Sequence, residues 1–278
     1  MSVREGVVSR LMGVGESQVL VRAWEPGRGR VAFRAEPVDP AALSAPPSLP
    51  DPESRPAGGA ELELAIERMR FALAVDDDLT ELYRRFRRDP LLGPLLRRRP
   101  WLRPRRRPRA WEALAWAVVK QLIESERAAR IQRRIVGRWG MRLGGDPYGA
   151  LRDVPDAATI AGRAPAELAS MDLSPARAIA LRAVAREIAS GRCDPSREQG
   201  DARLLAVPEI GPWTVQCLGL FGRGDPDSLP AGDLVYLKLV GRLARLGRRA
   251  TVEEVEEFYA PYAPFRALAG LWTIGLYR

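Results

Sequence analysis

The chain has 278 residues, 46% of them hydrophobic and 28% charged, a balance that supports a sizeable core and excludes global disorder. Forty-four Lys and Arg against 35 Asp and Glu give a net charge of +9, which fits a polyanionic partner or an Arg-rich composition with no such partner. With no histidine and two cysteines, Cys193 and Cys217, the composition excludes His-based triads, His-ligated metals and four-Cys zinc or iron–sulfur sites, so catalysis must rest on carboxylate, hydroxyl, Tyr, Lys, Arg or thiol groups.

The first residues, MSVREGVVSRLMGVGE, lack the apolar core of a signal peptide, and no apolar run reaches the ~18–20 residues of a membrane span. The expectation is a cytoplasmic protein, nucleoid-associated if bacterial, with no membrane partner. Residues 18–24 and 31–36 alternate apolar and polar around a Pro-Gly turn and predict a β-hairpin. Residues 37–60, rich in Pro, Ser and Gly, read as a linker or long surface loop. The chain is therefore divided at 60: a small β-containing region with a Pro-rich linker over 1–60, and a helical region over 61–278.

From Glu61 the apolar spacing turns helical. One helix covers AELELAIERMRFALA and a second covers LTELYRRF, stopped near Pro90. Residues 97–109, RRRPWLRPRRRPR, hold eight Arg, three Pro and one Trp; the prolines forbid a regular helix, and the Arg side chains suit phosphate. Arg105, Arg106 and Arg107 are accordingly candidate DNA contacts, against the alternative of a solvated loop. Residues 111–139 predict an apolar helix to about Ile123 and then a basic amphipathic one. DAATIAG and PAELASM read as short helices, and Ser174, Pro175 and Gly191 bracket a long one as N-cap, first-turn proline and terminator. Further helices are expected near 201–207, 212–221, 233–246, 251–259 and 264–277. The expected architecture is mostly α with a small N-terminal β element.

The most specific segment is residues 204–240, LLAVPEIGPWTVQCLGLFGRGDPDSLPAGDLVYLKLV. VPEIGPW is a tight turn between two helices, with Pro212 near the start of the second. Amides at such a start can hold a phosphate, and Ile210 is placed at the tip with Gly211 behind it. The plain alternative is an ordinary αα-hairpin punctuated by Pro and Gly. Asp233 follows residues 230–232, Pro-Ala-Gly, and opens the next helix, where an Asp is commonly just an N-cap.

This segment resembles the hairpin, Gly/Pro-rich loop and catalytic Asp of the helix-hairpin-helix superfamily of DNA glycosylases. FALAVDDDLTELYRRFRRDPLLGPLL and WEALAWAVVKQLIESERAARIQRRIV resemble the upstream helices of its 3-methyladenine, alkylation-repair branch. The resemblance covers roughly residues 62–278. It implies a helix-hairpin-helix glycosylase bundle of two helical subdomains with a cleft between them, acting as a monomer on double-stranded DNA that carries a damaged base. No cofactor or metal is implied, beyond a monovalent cation at the carbonyls of Leu205, Val207 and Ile210.

The resemblance also implies residue roles. Asp233 is the catalytic carboxylate, beside an oxocarbenium-like sugar. Trp213 stands where lyase members carry a Lys nucleophile, and neither Lys120 nor Lys238 matches that place, so the expected enzyme is monofunctional. An aromatic there stacks on a flipped cationic purine; simple core packing is the alternative. Gln121 and Leu122 match a Gln-Leu pair, with Leu122 as the wedge that fills the gap left by the base or, alternatively, as a core residue. Cys217 and Trp272 complete the candidate pocket; Pro208, Ile210, Gly211 and Thr214 complete the candidate DNA contacts. Two departures stand out: Glu209 replaces the usual first hairpin glycine, where φ > 0 strains it and its charge faces phosphate, and Cys217 replaces a Tyr of some relatives. Two other functions remain open at this level: a non-catalytic hairpin DNA-binding protein, and a glycosylase for oxidised or other lesions. A structural protein with a basic surface leaves the Trp213-to-Asp233 segment unexplained.

Overall fold

The computed structural model describes residues 2–44, 55–144 and 151–276. Residues 45–54 of the expected linker lie outside the described residues. The chain forms two compact units, one of residues 1–72 with 118–194 and one of residues 73–117 with 195–278.

The N-terminal β element is larger than the predicted hairpin. Strands β1 (Ser2–Arg4), β2 (Val7–Val14), β3 (Ser17–Gly27) and β4 (Arg30–Pro37) form an antiparallel sheet in that order. β3 and β4 are the predicted hairpin. β1 and β2 turn through Glu5 and Gly6, both at positive φ (49° and 77°), the combination that suits the twist of a two-residue hairpin loop. Leu11 of β2 and Leu20 of β3 share a buried cluster with Val38, Leu143 and Leu151. Two short strands, β5 (Leu43–Ser44) and β6 (Arg142–Leu143), pair nearby.

Thirteen α-helices occur among the described residues: α1 (Gly59–Leu73), α2 (Thr80–Phe86), α3 (Leu92–Arg98), α4 (Ala110–Lys120), α5 (Ser125–Trp139), α6 (Ala157–Ala161), α7 (Pro165–Ala169), α8 (Pro175–Ala189), α9 (Asp201–Leu205), α10 (Pro212–Leu218), α11 (Leu234–Leu243), α12 (Val252–Tyr259) and α13 (Arg266–Ile274). In the first unit α8 follows its sequence signals closely. The Ser174 hydroxyl accepts from the Arg177 amide at 3.4 Å, Pro175 opens the helix, and Gly191 leaves it at φ 72°. α5 buries Ala128, Ile131, Ile135 and Trp139 and turns its Arg side chains outward.

The second unit is built on a core that draws Leu82, Phe86, Leu92 and Leu96 together with Tyr236, Val255, Tyr259 and Trp272. Helix α3, which apolar spacing did not single out although its first residues fall in the segment that resembles the family's upstream helices, takes Arg97 and Arg98 out of the Arg loop. The helix expected over 212–221 ends at Leu218 and continues as one wider π-type turn, Gly219–Arg223. Gly222 in that turn leaves no room for a Cβ, which would lie 2.9 Å from the Ala113 side chain of α4.

Candidate functional site

The site is assembled in the second unit around α9, α10 and the start of α11. α9 and α10 are the two arms of the hairpin. Between them the Val207 amide donates to the Leu204 carbonyl at 3.0 Å, and the Ile210 amide donates to the Val207 carbonyl at 3.1 Å. The turn is therefore closed by its own backbone. Pro208 and Glu209 are exposed at its tip, and Glu209 sits at φ 70°, the left-handed conformation that the substitution of Glu for Gly was expected to strain.

Ile210 is not at the tip. Its side chain is buried, because its apolar bulk pins the hairpin from within, and its amide is already spent on Val207. Thr214 is likewise buried, so neither side chain faces outward to a phosphate. The amide that remains is that of Gly211, the N-cap residue of α10, which has no acceptor among the described residues. Of the three carbonyls implied for a monovalent cation, that of Val207 already accepts the Ile210 N–H, while those of Leu205 and Ile210 take no donor among the described residues.

From the π-type turn a loop over 224–233 leads to α11, and its backbone is tied down at each step. The Asp225 amide donates to the Gly219 carbonyl at 3.0 Å, the Ser228 hydroxyl to the Gln216 carbonyl at 3.1 Å, and the Asp233 amide to the Pro230 carbonyl at 2.9 Å. Asp227 takes two bonds from the Arg266 guanidinium, at 2.9 and 2.6 Å, and one from the Arg266 amide at 3.0 Å. Burial pushes the Asp227 carboxyl up, but these bonds from Arg266 outweigh it and hold the group below its ordinary value. Sequence reasoning missed this anchor; the DPDS turn ahead of Asp233 was its signal.

Asp233 is the N-cap of α11, with Oδ1 accepting from the Val235 amide at 3.0 Å. The capping bond uses one oxygen and fixes the rotamer, which leaves the second oxygen to act. Trp213, in the first turn of α10, packs against the same loop: a Cβ on Gly232 would lie 3.9 Å from Trp213 Cβ and Cδ1. The Trp213 indole is half-buried, and its Nε1 has no hydrogen-bond partner among the described residues. Behind Asp233, Tyr236 is buried, and burial first, then Tyr259, Asp233 and Cys217, push its phenol well above the ordinary value. Tyr236 is thus a neutral wall under the carboxylate.

Two candidate pocket residues are placed otherwise. Trp272 of α13 is wholly buried in the core, so it offers no ring face to a ligand. Cys217 is a buried free thiol that adjoins Tyr236. The Arg loop is largely a strap. Arg106 is held by Asp77 in a bidentate pair at 2.6 and 2.7 Å, the Arg107 amide donates to the Phe221 carbonyl at 2.7 Å, and Arg109 pairs with the buried Glu112 at 2.8 Å. The carboxylate that neutralises Arg106 lies 29 positions earlier in the chain, and the one that neutralises Arg109 is buried three positions on. Arg105 is exposed, as is Trp101. Gln121 and Leu122 belong to the first unit, in the turn between α4 and α5. Leu122 is 97% exposed at φ 54°; it is not a core residue, and the fold holds this apolar side chain in water in a conformation that Leu disfavours.

Among the described residues no three His, Cys, Asp or Glu side chains are grouped to hold a metal ion, and no helix is long and apolar enough to cross a membrane.

Residues 115–264 match the model of the HhH-GPD superfamily base excision DNA repair protein. The chain is 31% identical over 181 residues to the probable bifunctional transcriptional activator/DNA repair enzyme AlkA of Mycobacterium tuberculosis, an alignment that covers 63% of this chain and 35% of that protein. The chain thus spans about a third of that relative's length. It is 25% identical over 210 residues to the DNA-3-methyladenine glycosylase of Bacillus subtilis, which covers 73% of this chain and 68% of the relative. The fold is similar to that of the 3-methyladenine DNA-glycosylase of Archaeoglobus fulgidus, with a TM-score of 0.79 at 22% identity, over 99% of this chain and 88% of that one.

Proposed function

We propose, from the premise that the chain belongs to the HhH-GPD superfamily of base excision DNA repair proteins, that it is a monofunctional DNA glycosylase that hydrolyses the N-glycosidic bond of alkylated, cationic purines in double-stranded DNA. The observation that carries this is Asp233, a carboxylate locked by its own capping bond at the start of α11, directly after the Gly232 backbone against which Trp213 packs. As the glycosidic bond breaks, its electron pair leaves with the base and positive charge develops on the sugar. The Asp233 carboxylate stabilises that charge, a water oxygen bonds to C1′, and the water's proton passes to Asp233 or to solvent. An alkylated purine is already cationic, so it leaves without an acid to protonate it, which suits a chain without histidine.

Trp213 supplies an electron-rich face for such a base. Because Trp213 cannot form an imine, the product is an abasic site in an intact strand. Leu122, exposed in the turn between α4 and α5, is an apolar wedge for the DNA duplex. The Gly211 amide takes a backbone phosphate, and Arg105 adds charge. The chain works as a monomer in the cytoplasm, where DNA is accessible to it.

The competing reading, a hairpin module that binds DNA without chemistry, is favoured only by Glu209, whose charge stands at the hairpin tip. Mass spectrometry of bases released from methylated duplex DNA tests between them. Release of 3-methyladenine or 7-methylguanine is expected. Binding without release of either base would overturn the alkylated-purine reading.

A further inference from the structure

The second unit carries a cationic cavity that the excision reading does not use. It is an open surface recess of about 370 Å³, lined by Lys238 and the exposed Arg242, Arg245, Arg248 and Arg249, with Gly241 and Gly247. Between Asp233 and Glu253 the sequence has these five cations and no acid. Two of the five have partners: Arg248 bonds Glu254 at 2.8 and 2.7 Å, and Arg242 donates to the Leu276 carbonyl. Lys238, Arg245 and Arg249 have no acidic partner among the described residues. Like charges gathered round one recess repel one another, weakly where they are exposed to water, and a bound anion would relieve that repulsion. The negative end of the α11 dipole explains a cation in the last turn, such as Arg242, but not the three arginines beyond it.

The cavity is built rather than incidental. After α11 the chain folds straight back on the helix through two left-handed positions, Arg245 at φ 54° and Gly247 at φ 69°. The Leu246 amide bonds the Gly241 carbonyl at 2.9 Å, and the Ala250 amide bonds the Leu237 carbonyl at 2.9 Å. Gly241 has no room for a Cβ because the Arg248 carbonyl presses on it. This fold-back holds the arginines against the helix end, and its non-glycine left-handed residue is itself one of the cations. α11 rises ~1.5 Å per residue, so its lining residues, Lys238 to Arg242, stand about 7.5 to 13.5 Å along the helix from Asp233.

We propose that this cavity is a phosphate-anion site, separate from the excision centre, that takes a phosphorylated ligand through Lys238, Arg245 and Arg249. Arg side chains grip phosphate oxygens in pairs, and the open recess admits a phosphate group to them. Two sources offer the same chemistry: a free polyphosphate, and the phosphodiester backbone of DNA.

The test reads binding only, so it stands or falls independently of base excision. Tripolyphosphate is titrated calorimetrically into the full chain and into Arg245→Ala/Arg249→Ala, and the salt dependence of binding to an undamaged duplex is measured for both. Tripolyphosphate binding is expected to weaken at least tenfold in the variant. If the duplex salt slope is unchanged at the same time, the ligand is free phosphate. If the slope falls by about 2, as loss of two phosphate contacts requires, the ligand is the DNA backbone. Tripolyphosphate affinity and duplex slope both unaltered would overturn the site. Arg245→Gln and Arg249→Gln, measured singly, carry the same read-outs if the double variant does not fold.

Discussion

Glu209→Gly separates two consequences of one residue. Glu209 holds φ 70°, and a side chain there costs roughly 1–2 kcal/mol against a right-handed conformation. Gly removes that strain but returns roughly 0.5–1 kcal/mol of backbone freedom to the unfolded chain. The net gain in folding stability is about 0.5–1 kcal/mol, a rise in Tm of a few degrees. The charge acts on binding instead. A carboxylate about 6 Å from a phosphate in water repels it by roughly 332/(80 × 6), or about 0.7 kcal/mol, which is about threefold in affinity. Glu209→Ala removes the charge and keeps the left-handed Cβ, so it should match the affinity gain without the stability gain. Thermal melting and titration of abasic-site duplex DNA by both variants check this, and the affinity difference should shrink above ~0.15 M salt. Weaker binding by both variants would refute the reasoning and give Glu209 a positive role in holding DNA.

The same unit yields two further expectations. Arg106→Ala breaks a nearly buried pair with Asp77, whose side chains are 8% and 15% exposed, and should cost about 3 kcal/mol in chemical denaturation while leaving the salt slope of DNA binding unchanged; Arg105→Ala should do the reverse. Asp227 has a carboxyl held below its ordinary value in the folded state, so its charged form stabilises the fold at neutral pH and that stability is lost as pH falls below about 4. Asp227→Asn should therefore lower Tm at pH 7 and narrow the gap from wild type at acid pH, and an equal gap at both would show that the Arg266 anchor is not electrostatic.

Much of the helical order was legible because capping and spacing are local. Ser174, Pro175 and Gly191 bracket α8 on the sequence alone, and Asp233 reads as a helix start before any partner is known. The misses are of two kinds. β1 and β2 were passed over because VVSRLMGV does not alternate cleanly: β2 is buried at four successive residues, Ser9 to Met12, so period-two polarity is lost and only the Glu5–Gly6 turn announced a hairpin. The fates of Arg106 and Trp272 depended on residues remote in sequence. The Asp77 that claims Arg106 is 29 positions away, and the core that closes over Trp272 draws on α2, α3, α11 and α12. Leu122 shows the converse: an apolar residue is core by default, and only the fold reveals that this one is turned out to water.

The central claim is that the Asp233 carboxylate, and no amine, breaks the glycosidic bond. Excision from alkylated duplex by the wild type and by Asp233→Asn, with borohydride present in parallel reactions, tests it most directly. The wild type should yield intact strands that break only on alkali or heat and no trapped protein–DNA adduct. Asp233→Asn should lose on the order of 10²-fold or more in rate while binding abasic-site DNA as well as the wild type or better. Full activity in Asp233→Asn, or a borohydride-trapped adduct with the wild type, would contradict it.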